Sequence, residues 1–158
     1  MRVLAIDPGY ERLGVAVMEK QNGAEVLLHS SCVETSKELE IEDRLLLIGE
    51  QLQKLVAEYT PDLVAVETLF FNKNQKTAIA VAEARGVVLY IAKSCGADIL
   101  ELSPQQIKVG MTGHGGSDKK AVTDMVKRLI KGVPTKAHDD EYDAIAIAVT
   151  ALAHYRHV

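Results

Sequence analysis

Apolar residues in this chain fall into two patterns, short unbroken runs and longer stretches at helical spacing, and their alternation predicts a mixed α/β fold. RVLAID (2–7), LGVAVMEK (13–20) and AEVLLHSSCVET (24–35) are strand-like runs, separated by turn signals at Pro8-Gly9 and Asn22-Gly23. Asn-Gly between apolar runs is the stronger hairpin signal, since both turn positions need a positive φ. From about Glu38 to Tyr59 the period lengthens: Leu45, Ile48, Leu52, Leu55, Val56 and Tyr59 recur on one helical face, with charges opposite. Pro61-Asp62 ends that helix. LVAVE (63–67) follows, apolar enough for a strand covered on both faces.

A second helix is predicted from about Gln75 to Lys93. Between Ala78 and Ala92 only Glu83, Arg85 and Tyr90 carry polar groups, so this helix needs cover on more than one side. A second subunit, meeting the face of Ala78, Ala82, Arg85 and Leu89, is the expected cover. ADILELS (97–103) reads as a strand, SPQQIK as a short helical turn and TGHGGS (112–117) as a glycine-rich loop. Ser117 is the expected N-cap of a helix whose Ala121, Val122, Met125, Val126, Leu129 and Ile130 face inward, stopped by Gly132 and Pro134. A last helix starts near Asp140 and contains AIAIAVTALA, whose alanines suit close packing on a sheet. Three hairpin-linked strands followed by crossover-linked ones is the order of a ribonuclease-H-like fold, a mixed five-stranded sheet flanked by helices. One domain is expected to span residues 1–158.

Composition adds exclusions. No run approaches the ~18 apolar residues of a membrane span, and the first residues enter a strand with no signal-peptide anatomy, so a cytoplasmic protein is expected. Cys32 and Cys95 stand apart with no C-x-x-C motif and read as buried, reduced thiols. The net charge of −4 argues against nucleic acid until its distribution is read. Residues 72–136 hold 11 Lys/Arg against 5 Asp/Glu, whereas residues 1–71 hold 6 against 13. One long segment is basic and suits a phosphate-binding face, although scattered solvated lysines give the same count.

The chemistry is concentrated in carboxylates at strand and helix ends. Asp7 closes the first strand, Glu67 closes LVAVE, and Asp140 and Asp143 share one face at the start of the last helix. Singly, Asp7 before Pro-Gly also reads as a turn starter, and the two helix-start aspartates as helix-start residues. Glu67 has no such reading, because a carboxylate ending a buried strand is costly without a cation. Converging, the four would repel one another unless a hard cation sat between them, which suits Mg²⁺ or Mn²⁺. Two such ions about 3.5–4 Å apart serve phosphodiester hydrolysis.

AIDPGYERLGVAV, VAVETLFFNKNQKTAIAVAEARG, LSPQQIKVGMTGHGGSDKKAV and DDEYDAIAIAV, colinear over nearly the whole chain, resemble the RuvC family of bacterial Holliday-junction resolvases. The resemblance implies a ribonuclease-H-like homodimer that nicks opposed strands of a four-way DNA junction, in recombination and repair, beside the branch-migration motor proteins RuvA and RuvB. It implies Asp7, Glu67, Asp140 and Asp143 as catalytic metal ligands for Mg²⁺, with Mn²⁺ substituting and two ions bound when DNA is present. Some relatives carry His where Asp140 stands. The spacing of three from Asp143 favours Asp140 over His138 as the ligand. Lys119 is implied as a catalytic cation and, with Lys108, Lys120 and Phe70, as a DNA-binding residue, Phe70 by stacking on bases at the opened junction centre.

Three rival readings remain at this level. D-P-G followed by L-G-V-A-V also resembles the first phosphate motif of sugar-kinase and actin-like ATPases, but those need a longer chain and a second motif. A ribonuclease H acting on RNA–DNA hybrids shares the carboxylates without needing a dimer. A non-catalytic junction-binding module would hold polyanionic DNA more easily without four carboxylates.

Overall fold

The computed structural model describes residues 1–69 and 75–154. Its strands are β1 (Arg2–Asp7), β2 (Arg12–Gln21), β3 (Ala24–Glu34), β4 (Leu63–Glu67) and β5 (Asp98–Leu102). Its helices are α1 (Ile41–Tyr59), α2 (Gln75–Ser94), α3 (Pro104–Thr112), α4 (Lys119–Leu129) and α5 (Asp139–His154). The sheet order is β3-β2-β1-β4-β5, with β1–β2 and β2–β3 antiparallel and β1–β4 and β4–β5 parallel. The mixed five-stranded sheet expected from the sequence is therefore present, in a ribonuclease-H-like fold.

Strand alternation sorts the core into two layers. Val3, Ala5, Ala16, Met18, Leu63 and Ala65 pack under α3, α4 and α5. Leu4, Ile6, Leu13, Val15, Val17, Val64 and Val66 pack under α1 and α2. Cover on both faces explains why these strands read as unbroken apolar runs.

Small residues set how near α5 comes to the sheet. A Cβ built on Gly14 of β2 would lie 1.9 Å from the Asp140 carbonyl oxygen. The start of α5 thus rests on backbone that only glycine leaves open. A Cβ on Gly110 of α3 would lie 2.7 Å from Thr150 Oγ1, so α3 reaches α5 in the same way.

Several expected boundaries shift, each for a local reason. Residues 38–40 lie outside α1: Ser36 Oγ accepts from the Glu38 amide at 3.2 Å, a local turn that competes with helix. The expected helical turn at SPQQIK is a nine-residue helix, begun by a reciprocal capping box between Ser103 and Gln106 with Pro104 in its first turn. Asp118, not Ser117, caps α4 by accepting from the Ala121 amide at 2.8 Å. Ser117 is already bonded to the Thr112 hydroxyl at 2.7 Å. Leu129 is exposed rather than inward, because the helix ends there and Ile130 enters the core instead. Cys95 is exposed rather than buried, and both cysteines are free thiols. Among the described residues no helix is long and apolar enough to cross a membrane.

The close seat of α5 is testable at Gly14. Gly14→Ala should cost at least the ~1–3 kcal/mol of an overpacked core, because the clash is with backbone that cannot rotate away. Gly49→Ala, whose nearest neighbour would be Val87 Cγ1 at 3.5 Å, should be neutral or stabilising. Denaturant titration of the two variants checks the contrast. Equal stabilities would contradict this packing.

Candidate active site

The sheet register brings the strand-end carboxylates together. Ile6 of β1 pairs with Val66 of β4, so Asp7 and Glu67 end two adjacent parallel strands. Alternation puts both side chains on the α5 face, in line with Ala5 and Ala65. Asp7 also lies across from Gly14, where the first turn of α5 is seated. Asp140 and Asp143 thereby arrive from above, one helical turn apart. A cleft of about 180 Å³ opens beside them, lined by Glu67, Lys108, Lys119 and Asp143 over an apolar floor that includes Ile107 and Ile147.

Electrostatics confirm the crowding. Burial, followed by the charges of Asp143, Glu67 and Asp140, pushes Asp7 up from 3.8 to about 8, with Lys119 partly opposing. Glu67 is raised by burial and by Asp143, against Lys119 and Lys108. Burial also raises Asp143, although Lys119 bonds to it and works the other way. For Lys119 burial disfavours the charge, but its bond to Asp143 and the charges of Asp143, Asp139 and Asp7 outweigh that and raise it.

Two cations of the chain meet the two α5 carboxylates. Lys119 Nζ lies 2.7 Å from Asp143 Oδ2 and 3.8 Å from Asp139 Oδ2. Arg12 Nε lies 3.2 Å from Asp140 Oδ2. That oxygen is buried and, this ion pair aside, receives no hydrogen bond. Among the described residues no three His, Cys, Asp or Glu side chains are already set to hold one metal ion. The donor set nevertheless fits a hard divalent cation: every group is a carboxylate, and positive charge nearby would favour the ionised form of Asp7, which burial and its acidic neighbours disfavour. Thr68 Oγ1, next to Glu67, is a further buried oxygen without a hydrogen-bond partner.

The remaining expected residues divide. Lys108 and Lys119 reach the cleft. Lys120 turns away, pairing with Asp124 at 3.5 Å with its side chain 85% exposed. Phe70 lies outside the described residues. His138 faces the β3 rim, its Nε2 3.0 Å from Glu34 and its Nδ1 3.4 Å from Arg12. Arg12 escapes a reading of the sequence, since a charged residue at the start of a strand carries no signal beyond solvent exposure.

A half-buried carboxylate cluster at adjacent parallel strand ends, faced by a helix and a lysine, is the site of a ribonuclease-H-like nuclease. Comparison with known proteins narrows the class. The family model for crossover junction endodeoxyribonuclease RuvC matches residues 3–151. The chain is 43% identical over 148 residues to the RuvC protein of Thermosipho melanesiensis, covering 94% of each chain. It is 45% identical to that of Petrotoga mobilis, covering 94% of this chain and 91% of that protein. Among solved structures, Thermus thermophilus RuvC in complex with Holliday junction substrate superposes with a TM-score of 0.89 at 32% identity, over 96% of this chain and 93% of the other. The chain belongs to the RuvC family of crossover junction endodeoxyribonucleases. The family is one of metal-dependent nucleases.

The raised carboxylates predict an unusual pH dependence for the metal-free protein. Between 3.8 and about 8 the folded chain keeps a proton on Asp7 that the unfolded chain gives up. Stability should therefore fall as pH rises through that window and level off above it. Asp7→Asn is neutral throughout, so in chelator it should melt above the parent near pH 8, and the gap should close towards pH 4. Thermal unfolding across that range checks this. A variant that melts below the parent at pH 8 would show that Asp7 is already compensated.

Proposed function

We infer that this chain resolves four-way (Holliday) DNA junctions, nicking opposed strands symmetrically by metal-assisted phosphodiester hydrolysis. The observation that carries this reading is Asp7. It is half-buried among Glu67, Asp140 and Asp143, whose charges together with burial outweigh the opposing charge of Lys119, in a chain whose T. thermophilus relative is described with Holliday junction substrate.

Asp7, Glu67, Asp140 and Asp143 would hold Mg²⁺, with Mn²⁺ substituting and two ions in place when DNA is bound. The ions would supply charge neutralisation and an activated water at the scissile phosphate. Lys119 puts its ammonium at the mouth of the same cleft, where negative charge develops on that phosphate. Lys108 sets a second positive charge in the cleft wall. Ile107, Val122 and Ile147 limit water on its apolar side. Lys120 is exposed and suits a phosphate further along the backbone. Phe70 is assigned to stacking on an unpaired base.

Paired cuts need two sites, and a homodimer supplies them through a two-fold axis. The face of α2 expected to meet the partner is half-buried against its own chain: Leu89 packs into the core and Arg85 pairs with Glu101 at 2.5 Å. The better surface lies round the helix, where Ile79 and Tyr90 of α2 and Leu46 of α1 are 61%, 72% and 61% exposed. Leu46 and Tyr90 line an open groove of about 600 Å³ between α1 and α2, whose wall also includes Gly49, Gly86 and Val87 with Glu42, Glu50 and Glu83. The second copy is assigned to that groove. The partners RuvA and RuvB and a cytoplasmic setting complete the reading.

Two experiments test it. Glu67→Gln should bind a labelled mobile junction with near-normal affinity yet cut it at least about 100-fold more slowly, and adding Asp143→Asn should cost little more, because the carboxylates act as one site. Cleavage within tenfold of the parent would remove Glu67 from the metal set. RNA–DNA hybrid and linear duplex run alongside, and preference for the hybrid would favour the ribonuclease H reading. Separately, Tyr90→Glu combined with Leu46→Glu should yield a folded monomer at micromolar concentration by light scattering. A double variant that remains dimeric would place the interface elsewhere.

A further inference from the structure

Arg12 touches the carboxylate cluster, and no part of the mechanism above uses it. It opens β2, two residues before Gly14, and stands directly across from Glu34 of β3. Its Nε meets Asp140 Oδ2 at 3.2 Å, and its Nη1 lies 3.4 Å from His138 Nδ1. His138 in turn contacts Glu34 at 3.0 Å through Nε2. A row of polar contacts thus runs from the sheet edge, Glu34–His138–Arg12, and ends on Asp140.

Three features show what this row does to the site. Asp140 Oδ2 is buried and has no hydrogen bond, so the nearby guanidinium supplies its compensation. Lys119 occupies Asp143 in the same manner. Both α5 carboxylates are thus engaged by cations of the chain. Arg12 is also half exposed, its side chain 51% open to solvent, whereas Asp140 is 23% open. A phosphate arriving from solvent can reach the guanidinium, and guanidinium–phosphate pairs are strong and often bidentate.

We propose that Arg12 exchanges Asp140 for a phosphate of the bound DNA, so that substrate frees Asp140 to complete the metal site. Without DNA, Arg12 competes with a divalent cation for the same oxygen and adds a positive charge beside it. With DNA, that charge is turned onto the backbone and the competition ends. Coupling of this kind is reciprocal: DNA tightens metal binding by the factor by which metal tightens DNA binding. The device keeps hydrolytic metal weakly held until there is a phosphate to cut.

The exchange rests on Asp140 being a metal ligand, and the experiment separates the two claims. Mn²⁺ affinity is measured by electron paramagnetic resonance of the free ion. The full chain is used alone and with a four-way junction whose bridging oxygens at the crossover are replaced by methylene, which keeps the charge and resists cutting. The parent should bind Mn²⁺ about fivefold or more tightly with the junction present, the low end of typical coupling. Arg12→Gln should bind Mn²⁺ more tightly than the parent without DNA, and its gain on adding the junction should shrink. Arg12→Lys, which keeps a cation, should stay near the parent. If Arg12→Gln binds metal no better, or worse, without DNA, Arg12 is not a competitor and the exchange is wrong. If it binds better but gains as much from the junction as the parent does, DNA does not release Asp140 and the proposal also falls. Asp140→Asn is the control. Unchanged Mn²⁺ affinity there would fault the ligand assignment itself, whereas lost affinity with no gain in Arg12→Gln would fault the exchange alone.

Discussion

The crowding of four half-buried carboxylates, with its cost in desolvation and mutual repulsion, is the constraint on which this molecule is organised. Asp7 sits where burial and three acidic neighbours hold it protonated to about pH 8. A fold that brings such groups together loses stability, because each charge is taken from water without full compensation. The chain contains the loss with two cations from different elements, Lys119 of α4 on Asp143 and Arg12 of β2 on Asp140. Lys119 also acts on Asp7, but too weakly to offset burial and the three acidic neighbours. The protein is left with a standing demand for positive charge at one point, which is what a nuclease needs if it is to hold a divalent ion against a phosphate.

The rest of the architecture serves that point. Parallel pairing of β1 and β4 makes their ends neighbours, and apolar cover on both faces anchors the two strands firmly enough to carry a destabilising site. Gly14 and the alanines of α5 let that helix lie against β2 with its first turn over Asp7. Ser30 Oγ donates to the buried Glu141 carboxylate at 2.6 Å, fastening the same turn to β3. Positioning the aspartates is thus a matter of small side chains and one part-buried hydrogen bond, apart from the chemistry yet setting its geometry.

Much of this was legible in the order of residues. Short apolar runs gave β1 and β4 to within a residue or two, because a doubly covered strand excludes polar groups over nearly its whole length. Glu67 stood out for the same reason, as a carboxylate ending a strand with no cation near it in sequence. The boundaries that shifted were decided by hydrogen bonds between close alternatives: Ser117 and Asp118 are both good caps, and only the Thr112 hydroxyl, which engages Ser117, chooses between them. On α2 the large exposed apolar residues are Ile79 and Tyr90, while Ala78, Ala82, Arg85 and Leu89 are half-buried. A helix rich in alanine and valine has little amphipathic contrast, and its orientation is set by the neighbours it packs against.

Sequence alone determined the element types, the ribonuclease-H-like order and the four acidic positions, since these follow from local periodicity and from which residues tolerate burial. Tertiary structure decided which charges meet. That Lys108 and Lys119 enter the cleft while Lys120 leaves it follows from where α3 and α4 settle on α5. That Arg12 reaches Asp140, 128 positions away in the chain, follows from the close seat of α5 on Gly14. Coulombic pairing depends on distance in space, and local pattern in a sequence carries no record of distances made by packing.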